Sequence, residues 1–155
     1  MIRDAQSKDK TGIGKVLAAS YNIASAKEGE QIFLHESKAG IQYLVAEEDR
    51  LIAGIASWIM HGLPKHGLAE LDRIAALPEF RGKGIANLLM DGIIACAQKK
   101  FAKQKARLRK LYLLTHADNQ RAQAFYKKLG FVHETTLKSH FYKDKDEWVM
   151  SKFFG

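Results

Sequence analysis

Residues 81–86, Arg-Gly-Lys-Gly-Ile-Ala, lie between a strand-like run and a long amphipathic segment. A glycine turn that opens a helix leaves backbone N–H groups unpaired and concentrates the positive end of the helix dipole there. It therefore suits an anionic group such as pyrophosphate. Immediately upstream, the apolar run Leu68–Ala76 is interrupted by Glu70, Asp72 and Arg73. Strand alternation puts Glu70 and Asp72 on one face and Arg73 on the other. The plain structural role for either carboxylate is an ion pair at the sheet, with Arg73, Arg3 or another cation.

Other chemistries fail on spacing. A dinucleotide fingerprint requires a third glycine where this chain has Asn87, and its strand should open a βαβ unit instead of following a hairpin. A phosphate-binding P-loop requires Gly-Lys-Ser or Gly-Lys-Thr, and the chain reads Gly82-Lys83-Gly84. The sole cysteine, Cys96, falls on the apolar side of the long helical segment without an evident histidine partner, so packing is its expected role. His133-Glu134-Thr135-Thr136-Leu137 lacks the second histidine of a zinc helix, the other histidines are scattered, and no metal site is assigned.

The elements that must hold these residues follow from periodicity. Residues 2–5 read as a short edge strand. Residues 7–21 predict a helix with Ser7 in the capping position and Ile13, Val16 and Leu17 at helical spacing, weakened by Gly12 and Gly14. Residues 26–37 predict a second helix, ended by Ala39-Gly40. Residues 42–47 and 51–60 are β-type runs joined by Glu48-Asp49-Arg50, a hairpin of an antiparallel sheet. Leu68–Ala76 follows the turn-rich residues 62–67 as a third strand. From Gly84, the positions Ile85, Leu88, Leu89, Ile93, Cys96, Ala97 and Phe101 mark one long helix. Residues 110–115 read as a buried strand of the parallel kind. Asp118-Asn119 caps a helix that runs to Leu129 and stops at Gly130, with Phe131 placed to pack back on Phe125 or Tyr126. Residues 132–137 and 147–153 form a last strand pair around Lys143-Asp144-Lys145-Asp146. The sum is an α+β fold, a mixed and mostly antiparallel sheet of six or seven strands with about four helices, in a single domain over 1–155.

Composition bounds the partners. With 155 residues, 46% of them hydrophobic, the chain can bury one core. A formal net charge of +8 favours anions: nucleic acid, acidic protein or a polyphosphate. Cations crowd residues 99–110, the pattern of a solvated helix end. Only Phe101 and Tyr112 interleave with them and no nucleic-acid-binding signature appears, so nucleic acid is not an expected partner. One cysteine precludes an intramolecular disulfide, and no apolar run approaches a membrane span. The N-terminal residues lack a signal-peptide pattern, so a cytoplasmic protein without membrane contact is expected. A homodimer is left open.

Arg81, Gly84 and Ala86 match a signature of Gln or Arg, two residues, Gly, one residue, Gly or Ala, within the fuller stretch 78–86. Farther on, Asn119, Ala122, Phe125-Tyr126 and Leu129-Gly130-Phe131 form a second block. In this order the two blocks resemble the GNAT superfamily of acyl-CoA-dependent N-acyltransferases, and the succession of strands and helices is similar over essentially the whole chain.

The resemblance implies direct acyl transfer, with acetyl-CoA as co-substrate, to a primary amine in a ternary complex. It also implies a sheet splayed between its fourth and fifth strands. On it, Arg81 and the N–H groups of Gly82, Lys83, Gly84, Ile85 and Ala86 hold the CoA pyrophosphate, while the backbone of Ile74, Ala75 and Ala76 pairs with the pantetheine arm. The Ala76 N–H would point at the thioester oxygen, and a donor so aimed is worth about 3 to 4 kcal/mol. Family members usually carry valine at that place; alanine keeps the donor and loosens the packing around it.

A lysine-like amine, with a pKa of about 10.4, must lose a proton before it attacks. Glu70 stands eleven residues before Arg81, similar to the glutamate base of the histone-acetylating branch, and Asp72 beside it is the second candidate. Tyr126 matches the tyrosine of Phe-Tyr-x-x-x-Gly-Phe, which implies a general acid for the CoA thiolate and a cofactor contact. Asn119 would cap its helix and touch the cofactor arm. Residues 26–40, the loop with His61 and His66, and the C-terminal hairpin would select the acceptor, whose identity is not legible. The rival readings are a CoA-sensing module without catalysis and a basic nucleic-acid-binding protein.

Overall fold

The structure is a computed structural model that describes residues 1–155. In chain order its elements are β1 (Ile2–Asp4), α1 (Lys10–Ser20), α2 (Ala26–Lys38), β2 (Gln42–Glu48), β3 (Leu51–His61), β4 (Leu68–Ala76), α3 (Ile85–Lys103), β5 (Lys110–His116), α4 (Gln120–Lys128), β6 (Val132–Tyr142) and β7 (Lys145–Phe153). One sheet takes the strands in the order β1-β2-β3-β4-β5-β7-β6. The pairs β1–β2, β2–β3, β5–β7 and β6–β7 are antiparallel, and β4–β5 is parallel. This is the mixed, largely antiparallel α+β sheet that the order of strand and helix signals predicts.

The chain forms two compact units, Met1–Ile59 with Leu71–Lys99, and Met60–Glu70 with Lys100–Gly155. In the first, Ile13, Val16, Leu17, Phe33, Tyr43, Val45 and Ile55 make a buried core between α1, α2 and the sheet. The glycines that weaken α1 as a sequence signal are what this packing needs. A Cβ on Gly14 would stand 2.4 Å from the Ala26 carbonyl oxygen, and one on Gly29 would stand 2.6 Å from the Gly14 carbonyl oxygen. Helix propensity is therefore given up for backbone-to-backbone contact between α1 and α2.

Ser7 does not cap α1, contrary to its reading from sequence. It opens a 3₁₀ turn, Ser7–Asp9, and α1 starts only at Lys10. The reason is Asp9, whose buried carboxylate accepts from the Gln6 N–H at 2.7 Å and from both terminal nitrogens of Arg3 at 2.8 and 2.9 Å. Arg3 is thereby committed to Asp9 and Glu47 rather than to Glu70 or Asp72.

The buried stripe of α3 is narrower than predicted. Ile85, Leu89, Ile93 and Ala97 bury at four-residue steps together with Met90, whereas Leu88 is 49% exposed and Cys96 only half-buried. Leu88 falls off the stripe because successive helical residues rotate about 100° around the axis. Gly54 and Gly92 let this helix lie close on the sheet: Cβ atoms there would come within 3.0 Å of Ile85 and 2.9 Å of Ile2.

In the second unit, β5 buries Leu111, Leu113 and Thr115 and leaves Tyr112, Leu114 and His116 half-buried, an alternation where the sequence suggested burial on both faces. The Asn119 side chain accepts from the Ala122 N–H at 3.1 Å and caps α4. Gly130, with φ of 93°, ends it, and the Phe131 N–H returns to the Tyr126 carbonyl at 3.0 Å. The β6–β7 hairpin is longer than the sequence suggested, reaching Tyr142 and resuming at Lys145.

Candidate active site

After β4 the chain makes a short turn, Pro78–Phe80, and enters α3 through Gly82 and Gly84, whose φ angles are +78° and +77°. Only glycine takes this left-handed region at little cost. A Cβ at either glycine would meet nothing within 4 Å, so the turn presents an open surface. The Leu88 N–H donates to the Gly84 carbonyl at 3.1 Å. The amides of Ile85, Ala86 and Asn87 precede that bond and lie in the first helical turn, where N–H groups lack intrahelical acceptors. Arg81 and Lys83 flank them, with Arg81 Nε donating to the Ala76 carbonyl at 3.4 Å and Lys83 Nζ lying 5.2 Å from the Phe80 ring centroid. Open backbone, helix dipole and two cations together fit a phosphate-bearing ligand.

Along β4, backbone groups alternate between the two edges. The Leu77 N–H donates to the Ala53 carbonyl at 2.8 Å, so Ala75 and Leu77 face β3 while Ile74 and Ala76 face the opposite edge. The hydroxyl of Tyr21, just past α1, meets Ile74 there: it accepts from the Ile74 N–H and donates to the Ile74 carbonyl, each at 3.0 Å. Burial pushes the Tyr21 phenol up to about 12, so it remains a donor at neutral pH. Its ring lies 5.3 Å from the Arg73 guanidinium, which donates to Glu36 at 3.0 Å; Glu36 also accepts from the Tyr43 hydroxyl at 2.5 Å. Asp72 lies 3.7 Å from Arg73 Nε and 3.5 Å from the Ser57 hydroxyl, the ion-pair alternative weighed for it from sequence.

In the second unit, Glu70 is placed differently from Asp72. Its Oε1 lies 2.8 Å from His61 Nε2 and 3.2 Å from the Tyr112 hydroxyl. The parallel register sets Glu70 directly beside Tyr112, and the His61 and Tyr112 rings stack at 5.8 Å. Burial, and then the Glu70 charge, push the Tyr112 phenol up to about 12, which keeps it a donor to that carboxylate. His61 is 39% exposed, so the cluster connects a carboxylate to solvent through an imidazole. From sequence, His61 flanked a loop expected to border the acceptor and Tyr112 belonged to a buried strand; their meeting at Glu70 went unread because pairing between strands carries no local signal.

Tyr126 is 9% exposed, with its ring 5.3 Å from Phe125 and 5.8 Å from Phe131. A second acid–base pair escaped notice in the sequence: His116 Nδ1 and Glu147 Oε2 are 2.5 Å apart, with Glu147 buried and directly opposite His116 in the β5–β7 register. No group of three or more His, Cys, Asp or Glu side chains is arranged to hold a metal ion, and no helix is long and apolar enough to cross a membrane.

Residues 6–131 match the family model described as Acetyltransferase (GNAT) family. A Saccharolobus solfataricus N-alpha-acetyltransferase is 33% identical over 128 residues, covering 76% of this chain and 72% of its own. A Bacillus subtilis protein, provisionally named a [ribosomal protein bS18]-alanine N-acetyltransferase, is 27% identical over 149 residues, covering 94% and 89%. Among solved structures, the ribosomal-protein-alanine N-acetyltransferase of Brucella melitensis superposes with a TM-score of 0.76 over 99% of each chain at 21% identity. The glycine turn before α3 and the Asn119-to-Phe131 block fall inside the matched region, and the chain belongs to the GNAT acetyltransferase family, whose members carry an acetyl group to an amine.

Proposed function

We propose that the chain takes its acetyl group from acetyl-CoA and gives it to the N-terminal α-amine of a peptide or protein by direct attack in a ternary complex. The observation that carries the reading is Glu70 beside His61 and Tyr112, because an amine-acetylating site must remove a proton from the incoming ammonium. An α-amine, with a pKa of about 8, asks less of a base than a lysine side chain at about 10.4. The names of the archaeal and Bacillus relatives point to the same acceptor class.

In this mechanism the turn from Gly82 to Ala86, with Arg81 and Lys83, receives the CoA pyrophosphate, and the Ala76 N–H faces the thioester oxygen. Glu70 accepts the ammonium proton and His61 relays it to solvent, while Asp72 is held back by Arg73. The amine nitrogen attacks the thioester carbonyl; the C–S bond then breaks, and Tyr126 protonates the departing thiolate. Asn119 caps α4 and meets the pantetheine arm. A cytoplasmic setting matches the reducing chemistry that a free CoA thiol requires.

The test is calorimetric titration with acetyl-CoA, followed by thiol release against peptides with free N-termini, lysine peptides with blocked N-termini, and small amines. Micromolar donor binding with release on free N-termini is the expected result. Release only on lysine or small amines overturns the acceptor, binding without release on any amine favours a CoA sensor, and absence of binding overturns the donor.

A further inference from the structure

On the edge of β4 that faces away from β3, the two hydrogen-bonding groups of Ile74 are both engaged by one atom, the Tyr21 hydroxyl oxygen, at 3.0 Å each. A single hydroxyl thus stands where a neighbouring strand, or an extended ligand, would place an amide. The next residue on the same edge is Ala76, whose carbonyl accepts from Arg81 Nε at 3.4 Å. Two residues of strand separate Ile74 from Ala76, about 6.6 Å.

The Tyr21 plug is held firmly. The Arg73 guanidinium lies 5.3 Å from its ring and is itself anchored by Glu36, which in turn accepts from Tyr43. Tyr21 also closes α1, donating its own N–H to the Leu17 carbonyl at 3.0 Å. Moving the hydroxyl would strand two backbone groups and disturb a guanidinium–carboxylate–phenol chain, so it behaves as a fixed stop.

We propose that Tyr21 determines acyl-group specificity: by closing Ile74 it ends the donor track on β4, so that an acyl chain beginning at Ala76 has about 6.6 Å before it meets the phenol. An acetyl or propionyl group fits that interval, and a hexanoyl or octanoyl chain does not. The inference rests on the reading that acyl-CoA lies along this edge from the glycine turn to Ala76.

The experiment compares wild type with Tyr21→Phe, Tyr21→Ala and Gly84→Glu, using acetyl-, propionyl-, hexanoyl- and octanoyl-CoA. Donor binding is read by calorimetry and turnover by thiol release. Wild type is expected to favour the short donors. Tyr21→Ala should raise the hexanoyl-to-acetyl ratio of kcat/KM by about tenfold or more, the scale on which a pocket discriminates methylenes. Tyr21→Phe keeps the ring and unpairs Ile74; it should lower kcat on acetyl-CoA while leaving the acyl-length preference near that of wild type. An unchanged acyl profile in Tyr21→Ala, with CoA binding intact and with Gly84→Glu unable to bind CoA, overturns the role of Tyr21 and leaves the donor track standing. CoA binding that survives Gly84→Glu overturns the track itself. Equal losses on all four donors in Tyr21→Ala, with a lowered melting temperature, assign Tyr21 to stability alone and overturn the proposal.

Discussion

Glu70 Oε1 lies 2.8 Å from His61 Nε2 and shares that oxygen with the Tyr112 hydroxyl at 3.2 Å. A carboxylate with two neighbours able to donate is oriented before any substrate arrives, and in the proposed mechanism the exposed edge of the imidazole gives its proton a way out. Glu70→Gln removes the proposed base and keeps an acceptor oxygen. Turnover should fall by about 10² or more, with the remaining activity shifted to higher pH, where the amine deprotonates unaided. A pH–rate profile coincident with that of wild type would exclude Glu70 as the base.

Gly84 allows the proposed anion binding to be tested apart from folding. Its φ of +77° costs any other residue about 1–2 kcal/mol, and the space around its missing Cβ is open. Gly84→Ala should therefore bind CoA more weakly, and Gly84→Glu should not bind at all, since it adds a negative charge to an anion site. Melting temperatures of the two variants should agree closely; calorimetry beside thermal melts checks both.

Tyr126→Phe retains the ring between Phe125 and Phe131 and deletes only the hydroxyl. For a general acid, kcat should drop by about 10²-fold or more with little change in acetyl-CoA affinity. A loss of affinity equal to the loss of kcat would instead make the hydroxyl a binding group.

Gly29→Ala should destabilise without touching any group assigned to chemistry. Its methyl would stand 2.6 Å from the Gly14 carbonyl oxygen and 2.8 Å from the Gly14 Cα, both backbone atoms that cannot step aside. The expected cost is about 1–3 kcal/mol, read as a lower melting temperature with CoA affinity retained.

The Asp9 carboxyl is held below its ordinary value of 3.8 chiefly by the hydrogen-bonded Arg3 guanidinium. A carboxyl depressed in the folded state contributes its stability fully above pH 3.8 and loses it as pH falls through the lower folded value. Acid unfolding of wild type should therefore steepen below about pH 4. Asp9→Asn should be less stable at neutral pH, with a flatter acid limb in a melting-temperature series.

Much of the fold was legible in local pattern. The bounds of β4, the α3 helix, the Asn119 cap and the Gly130 stop follow from alternation, apolar spacing and capping chemistry within a few residues of one another. The glycine turn was legible for the same reason, since its geometry lies in its own backbone. Gly12 and Gly14 misled, because their value lies in atoms far along the chain at Ile52, Ala26 and Glu30. Ser7 misled as a cap because the Asp9 carboxylate holds the Gln6 amide, so that Gln6 stands at the head of a 3₁₀ turn with Ser7 inside it. Tyr112 and His61 became partners of Glu70 only through the β4–β5 register and the return of β3, and Tyr21 reached Ile74 across 53 residues of sequence. The sequence by itself determined the elements, the family resemblance and the glycine turn before α3, all carried by short-range periodicity and backbone chemistry. Which side chain holds which was decided only by tertiary pairing, because hydrogen bonds and close packing between distant segments leave no periodic trace in either one.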